Sequence, residues 1–168
     1  MAKIIWLTGL SGAGKTTLSK NLKKEIKKKK CLLIDGDEFR KKTGQRSFSK
    51  KNIIKNNLEI INYCKKNFNR YEFIIVSVIS PLKKTREYAL KAFKKNYFEI
   101  LVYASIKTLI LRDTKKLYKL SIERKIKNLI GFKSSIKYEK SNHKYLRLNT
   151  NKFTIKQCLN KILNYADV

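Results

Sequence analysis

The sequence predicts a three-layer α/β/α domain built on a mostly parallel five-stranded sheet, and three observations carry that expectation. The first is an apolar strand, Ile4-Ile5-Trp6-Leu7, running into Gly9-Leu10-Ser11-Gly12-Ala13-Gly14-Lys15-Thr16 and then into a helical stripe in which Leu18, Leu22 and Ile26 recur every fourth residue. The second is the run Phe73-Ile74-Ile75-Val76-Ser77-Val78-Ile79, near-continuously apolar and rich in β-branched residues, as a central strand buried on both faces requires. The third is the alternation of such short apolar runs with helical patterns along the chain, the signature of a parallel sheet.

The first stretch carries the chemistry. In the spacing Gly-x-x-x-x-Gly-Lys-Thr, Gly9, Gly12 and Gly14 allow the tight turn that aims the amides of Ser11, Gly12, Ala13, Gly14, Lys15, Thr16 and Thr17 at a polyphosphate. Lys15 reaches the outer phosphates and the Thr16 hydroxyl is placed to ligate Mg²⁺. The following helix presents its positive end to the same anion. Strand, loop and helix together make this a P-loop for ATP or GTP.

Length and composition bound the rest. At 168 residues the chain is read as one domain, 1–168. No run approaches the roughly 18 apolar residues of a membrane helix, and Met1-Ala2-Lys3 opens no secretory signal, so a cytoplasmic protein without a membrane partner is expected. Cys31, Cys64 and Cys158 are odd in number and far apart, which argues for ordinary buried thiols over a disulfide framework or zinc site. His143, the only histidine, sits in a polar stretch and is assigned a surface position and no role. The formal charge of +29 attracts anionic nucleotides. Only seven of the 41 basic residues are Arg, and the Lys residues are scattered over every segment, so nucleic acid is not the expected partner.

Along the chain, Cys31-Leu32-Leu33-Ile34 is a second strand that ends in Asp35-Gly36-Asp37-Glu38-Phe39-Arg40. In open parallel sheets ligands bind at the carboxyl ends of strands, so Asp35 and Asp37 become the candidate catalytic pair beside the phosphates. The structural alternative is a capping Asp followed by a turn Asp. A crossover helix over 49–68 shows Ile54, Leu58 and Ile61 on one face. Pro81 closes the third strand and a helix follows through about residue 95. Further strands are read at 98–103 and 145–149, and Ile155, Leu159, Ile162 and Leu163 stripe a closing helix over 154–166. Residues 106–138 are polar, Lys-rich and weakly periodic, and 113–138 is taken as a mobile lid that keeps water from the transferring phosphoryl group.

The order of these motifs resembles the adenylylsulfate (APS) kinase family over nearly the whole chain. The shared features are Ile5-Trp6-Leu7-Thr8-Gly9-Leu10-Ser11-Gly12-Ala13-Gly14-Lys15, then Asp35-Gly36-Asp37 with Arg40, and Phe48-Ser49 with Asn56. Beyond them come Ile79-Ser80-Pro81 with Lys83 and Arg86, Arg112-Asp113-x-Lys115-x-Leu117-Tyr118, and Leu146-x-Leu148-x-Thr150. The resemblance implies transfer of the γ-phosphoryl of MgATP to the ribose 3′-hydroxyl of a small nucleotide, in a protein that commonly forms homodimers. It implies that Asp37 with Asp35 orients or deprotonates the acceptor hydroxyl and supports the metal with Thr16, so that Asp37 joins Thr16 as a Mg²⁺ ligand. Arg40 would hold the acceptor's 5′-phosphate, Asn56 and the Ile79-Ser80 backbone its sugar and phosphate end, and Phe48 its base. Lys115 and Leu117 belong to the lid on the acceptor side, and Arg112 approaches ATP.

Two departures stand out, both on the acceptor side. After the family's Phe-Ser pair and three further residues comes a second arginine that grips the phosphosulfate, and here that position is Ile53. The family's lid carries a Phe that sandwiches adenine, whereas this chain has Asn128-Leu129-Ile130-Gly131-Phe132-Lys133, placing Leu129 there in the ungapped register and Phe132 after a shift. Losing a charge-assisted contact to Ile53 costs about 1.5–3 kcal/mol per hydrogen bond, at least about tenfold in APS binding. The expected acceptor is therefore less anionic and not an adenine nucleotide. Cytidine diphosphoramidate, acceptor of similar kinases in capsule modification, is favoured over APS.

Overall fold

The computed structural model describes residues 1–44 and 49–168. Five strands form one sheet in the order β2-β3-β1-β4-β5, with β1 at Lys3–Thr8, β2 at Cys31–Asp35, β3 at Phe73–Ser77, β4 at Tyr97–Tyr103 and β5 at Leu146–Asn149. Every pairing is parallel, so the sheet is entirely, not mostly, parallel. With β1 in the centre, the loop that leaves its C-terminal end opens between its neighbours, where ligands sit in this topology.

The two faces are covered by separate cores. On one, Leu18 and Leu22 of helix α1 (Lys15–Glu25), with Leu159 and Ile162 of helix α7 (Ile155–Tyr165), pack over Ile5, Leu7, Ile75 and Ile100. On the other, Ile60, Ile61 and Cys64 of helix α3 (Lys50–Asn67), with Ala89 and Phe93 of helix α4 (Lys83–Phe93), pack over Ile4, Trp6, Ile74 and Val76. Alternation of side chains along each strand divides the apolar residues between the two cores. Local signals fix the helix starts: Ser49 accepts from the Asn52 amide to cap α3, and Thr154 with Gln157 forms a capping box on α7.

The structure departs from the sequence expectations in four places. The run through Ile79 leaves the ladder at Ser77, although the Val78 amide still donates to the Leu7 carbonyl at 3.0 Å. Residues 36–42 form a short helix, α2 (Gly36–Lys42), capped by Asp35. Residues 106–138 contain helices α5 (Ile106–Arg112) and α6 (Leu117–Ile122), whose Leu109 and Tyr118 are buried in the α1-side core, so this segment has an apolar inner face despite its polar composition. His143 is only 18% exposed, with Nε2 3.0 Å from Glu99 Oε2, because the core carboxylate of Glu99 draws polar groups inward. The three cysteines are free, Cys64 and Cys158 buried and Cys31 half-buried. Among the described residues no helix is long and apolar enough to cross a membrane.

Candidate active site

The loop after β1 and the start of α1 form the floor of a cleft of about 850 Å³, near the upper end of small-ligand sites at roughly 300–1,000 Å³. Gly9 has φ +142°, and a Cβ there would stand 2.0 Å from the Val102 carbonyl oxygen of β4, so only glycine lets the loop turn this close to the sheet. Gly14 caps α1 with no side chain, which leaves the first-turn amides aimed into the cleft with the helix dipole behind them. Lys15 is buried and donates to the Leu10 carbonyl at 2.8 Å. Burial first, and the neighbouring Lys115 charge second, push its ammonium down to about 8, with Asp37 and Asp35 offsetting part of the fall. Ser11, Gly12, Gly14, Lys15, Thr16 and Thr17 all line the cleft, while Gly9 and Ala13 shape the loop behind them.

Thr16 and the acidic pair meet at one point. Thr16 Oγ1 donates to Asp35 Oδ2 at 2.9 Å, and Asp35 Oδ1 accepts from the amides of Asp37 at 2.9 Å and Glu38 at 3.4 Å. Asp35 is thus a helix cap and the partner of the loop hydroxyl at once. Committing the Thr16 proton to Asp35 leaves the oxygen lone pairs for an electrophile. The Asp37 carboxylate takes no part in those bonds and pairs with both Arg40 and Lys115. Burial would raise its carboxyl, but Lys115, Arg40 and Lys15 together hold it below the ordinary carboxylate range. The hard oxygen donors Thr16 and Asp37 fit Mg²⁺, which takes one or two carboxylates and completes its shell with phosphate and water. No cluster of three or more His, Cys, Asp or Glu that could hold a metal ion occurs among the described residues.

The lid side closes over this floor through specific contacts. Tyr118 Oη donates to the Ser11 carbonyl at 3.0 Å. Arg112 donates from both guanidinium arms to Thr150, at 2.9 Å to Oγ1 and 2.8 Å to the carbonyl, and Thr150 Oγ1 donates to the Ala13 carbonyl at 3.1 Å. Arg112, Thr150, Phe153 and Ile155 therefore wall the nucleotide end of the cleft. Gly131, at φ +75°, approaches Leu10 so closely that a Cβ would lie 2.4 Å from its Cδ2.

At the opposite end the residues implied for the acceptor divide. Asp35, Asp37, Arg40, Ile79, Lys115, Leu117 and Leu129 line the cleft. Ser80 is fully buried: its amide donates to Thr8 Oγ1 at 3.2 Å, its hydroxyl bonds Asn57 and accepts from Trp6 Nε1 at 3.1 Å, and its carbonyl accepts from Arg86. Asn56 is buried with an unpartnered Oδ1. Ile53, 6% exposed, packs with Leu82 and Ile130 in a small apolar cluster. Of the two lid candidates, Leu129 faces the cleft, whereas Phe132 packs edge-on against Tyr118 with ring centres 5.4 Å apart. Phe48 lies outside the described residues. Sequence reasoning passed over Ser77, Lys127 and Ile130, which also line the cleft. Ser77 looked like strand interior, and Lys127 like any other lysine.

Comparison with known proteins agrees with this geometry. The family model described as adenylylsulphate kinase matches residues 1–149. A probable adenylyl-sulfate kinase of Pyrococcus abyssi is 37% identical over 153 residues, 89% of this chain and 86% of that protein. The cytidine diphosphoramidate kinase of Campylobacter jejuni is 35% identical over 130 residues, 76% of each chain. Among solved structures, the Mycobacterium tuberculosis APS kinase in complex with AMPPNP and APS superposes with a TM-score of 0.87 at 23% identity, over 99% of this chain and 98% of that one, a likeness of fold.

Proposed function

Because this chain belongs to the adenylylsulphate kinase family, we propose that it transfers the γ-phosphoryl of MgATP to the ribose 3′-hydroxyl of a small nucleotide, with cytidine diphosphoramidate as acceptor. That it is a kinase, a phosphotransferase with a hydroxyl acceptor, follows from the family; the acceptor is the inference.

Phosphoryl transfer asks the protein mainly for positioning and charge stabilisation. The α1 amides and Lys15 take the phosphates, and Lys15 exchanges its bond to the Leu10 carbonyl for them. Thr16, turned by Asp35, and the Asp37 carboxylate are the residues to hold Mg²⁺, which when bound neutralises charge on the β- and γ-phosphates. Asp37, kept ionised, accepts the hydrogen bond of the attacking hydroxyl and takes its proton as the new bond forms. Arg112 and Thr150 close the nucleotide end, and the lid held by Tyr118 excludes water.

The observation that carries the acceptor assignment is the setting of Ile53. At the place where the resemblance puts a sulfate-gripping arginine, Ile53 is buried with Leu82 and Ile130 in an apolar cluster, and Ile130 and the adjoining Ile79 carry that cluster to the wall of the cleft. An acceptor with a neutral nitrogen in place of a charged oxygen is the better match for such a wall, since an anionic oxygen set against it loses hydration without a partner. Leu129 in the cleft adds apolar surface without the broad aromatic face that grips a purine. The relatives include a cytidine diphosphoramidate kinase at 35% identity beside a probable adenylyl-sulfate kinase at 37%, so identity alone does not choose between the two acceptors. APS stands as the second reading because Lys127 lines the same cleft and offers a cation.

The test is ADP release from MgATP with APS, cytidine diphosphoramidate, CDP, ADP or no acceptor. Turnover concentrated on the cytidine compounds is expected. A kcat/KM for APS above that for cytidine diphosphoramidate by a wide margin would overturn the assignment.

A further inference from the structure

We infer that the Ser77 hydroxyl is a positioning group for the metal–nucleotide complex, holding a water of the divalent cation's hydration shell beside Thr16 and Asp35. Ser77 ends β3 and is in register with Asp35 of β2 on one side and Leu7 of β1 on the other. It follows Phe73 and Ile75 at intervals of two, and both pack in the core beneath α1, as do Cys31 and Leu33, which precede Asp35 in the same alternation. Ser77 and Asp35 therefore stand side by side on the α1 face of the sheet, under the helix turn that carries Thr16.

The Ser77 side chain is 3% exposed and its Oγ has no hydrogen-bond partner, yet the residue lines the cleft. A buried hydroxyl with no partner is rare enough to need an explanation. The neighbouring polar groups on this strand and its continuation are otherwise engaged: the Val78 amide donates to Leu7, and Ser80 is saturated by Thr8, Asn57, Trp6 and Arg86. The cleft is the direction left open.

The charge distribution of the cleft selects the ligand. Both oxygens of Asp35 already accept, one from Thr16 and the other from two amides. Asp37 pairs with Arg40 and Lys115 and is the carboxylate proposed to take the metal itself, not one of its waters. Mg²⁺ dehydrates reluctantly and keeps several waters, each a strong hydrogen-bond donor. On the sheet side Asp35 has one acceptor site left, at Oδ2, and the lone pairs of Ser77 Oγ beside it offer such a water a further acceptor. A hydroxyl next to Asp35 suits that task better than a carboxylate, because two carboxylates in adjacent register would repel each other in the free enzyme.

The inference rests on the enzyme using a metal–nucleotide complex, and the test separates the two. Ser77→Ala removes only the hydroxyl from a buried position. Two readouts are needed: Mn²⁺ affinity in the presence of a non-hydrolysable ATP analogue, by electron paramagnetic resonance titration, and ATP affinity in EDTA, by calorimetry. Expected is Mn²⁺ binding weakened about three- to tenfold in the variant, the value of one hydrogen bond, with metal-free ATP affinity within about twofold of wild type. Melting of the ligand-free variant at or above the wild-type temperature is also expected, since no native hydrogen bond is lost. Mn²⁺ affinity unchanged by the substitution would overturn the role of Ser77. Equal weakening of metal-free ATP would overturn it as well, by placing the hydroxyl on the phosphates. Wild-type protein whose Mn²⁺ affinity does not rise with nucleotide would overturn the metal–nucleotide reading itself, and the role of Ser77 with it.

Discussion

The Asp37 carboxylate is held between Arg40 and Lys115, and its ionised form is the one those cations favour. Asp37→Asn keeps the shape but can neither take a proton nor attract the two cations. Its turnover is expected to fall by about 10²- to 10⁴-fold, the usual contribution of a positioned base. ATP affinity measured by calorimetry in EDTA should stay near wild type, because the phosphate amides and Lys15 are kept and no metal is held by Asp37 there; turnover near wild type would remove Asp37 from the chemistry. Lys15 supplies a second residue-scale prediction. In the free enzyme its ammonium titrates at about 8, whereas phosphates beside it hold the proton on. Binding ATP above pH 8 therefore takes up a proton, so affinity is flat below that pH and falls above it, approaching about tenfold per pH unit. A dissociation constant followed from pH 6.5 to 9.5 with a single buffer series checks both slope and midpoint.

At the scale of elements, the segment after the lid is tied down by one buried cation. Arg86 of α4 pairs through Nε with Glu99 of β4 at 3.1 Å and with Ser141 at 2.9 Å, donates to the carbonyls of Ser80 and Glu139, and lies over the Tyr138 ring at 4.9 Å. Both members of the pair are buried, at 0% and 1% exposure. Arg86→Met would leave Glu99 in the core with Tyr97, Ser141 and His143 as its neighbours and no permanent cation. Breaking a buried pair from one side costs about 3–5 kcal/mol, to be read from the urea midpoint. A loss under 1 kcal/mol would mean that His143 takes over the charge. This network also marks the limit of what the sequence disclosed. Strands β1 and β3 and helices α1 and α7 were legible because apolar period and capping residues agree locally. The lid core was not, because Leu109, Tyr118, Leu129 and Ile130 are spaced among lysines with no steady period, and their burial is set by the sheet and by Leu10 beneath them. Helix α2 was masked by a Gly and two Asp residues that read as a turn, although Asp35 is the cap that starts it. His143 was misplaced because its partner, Glu99, is 44 residues away in sequence. The P-loop side of the site was legible residue by residue since its chemistry is local. The acceptor side was not, since Arg40, Ile79, Lys115 and Leu129 reach one cleft only in the fold.

For the whole molecule, the decisive quantity is a formal charge of +29 on 168 residues. It is the surplus of 41 basic over 12 acidic residues, and of the acidic ones Glu99, Asp35 and Asp37 are committed to the buried network or the cleft. The cleft that receives two anionic nucleotides thus belongs to a strongly cationic protein, which raises the local concentration of both substrates. Surface attraction of this kind is screened over about 10 Å at 0.1 M salt and about 3 Å at 1 M, whereas the contacts of Lys15, Asp37 and the α1 amides lie inside the cleft and are screened less. Raising KCl from 50 to 500 mM is expected to raise the KM for ATP and for the acceptor by about three- to tenfold while leaving kcat nearly constant. Steady-state kinetics across that range decide the matter. If KM is flat, the scattered lysines serve solubility alone and the phosphates are drawn only by the groups that touch them. If kcat falls as well, salt reaches the Lys115–Asp37 pair, and opening of that pair belongs to the catalytic cycle.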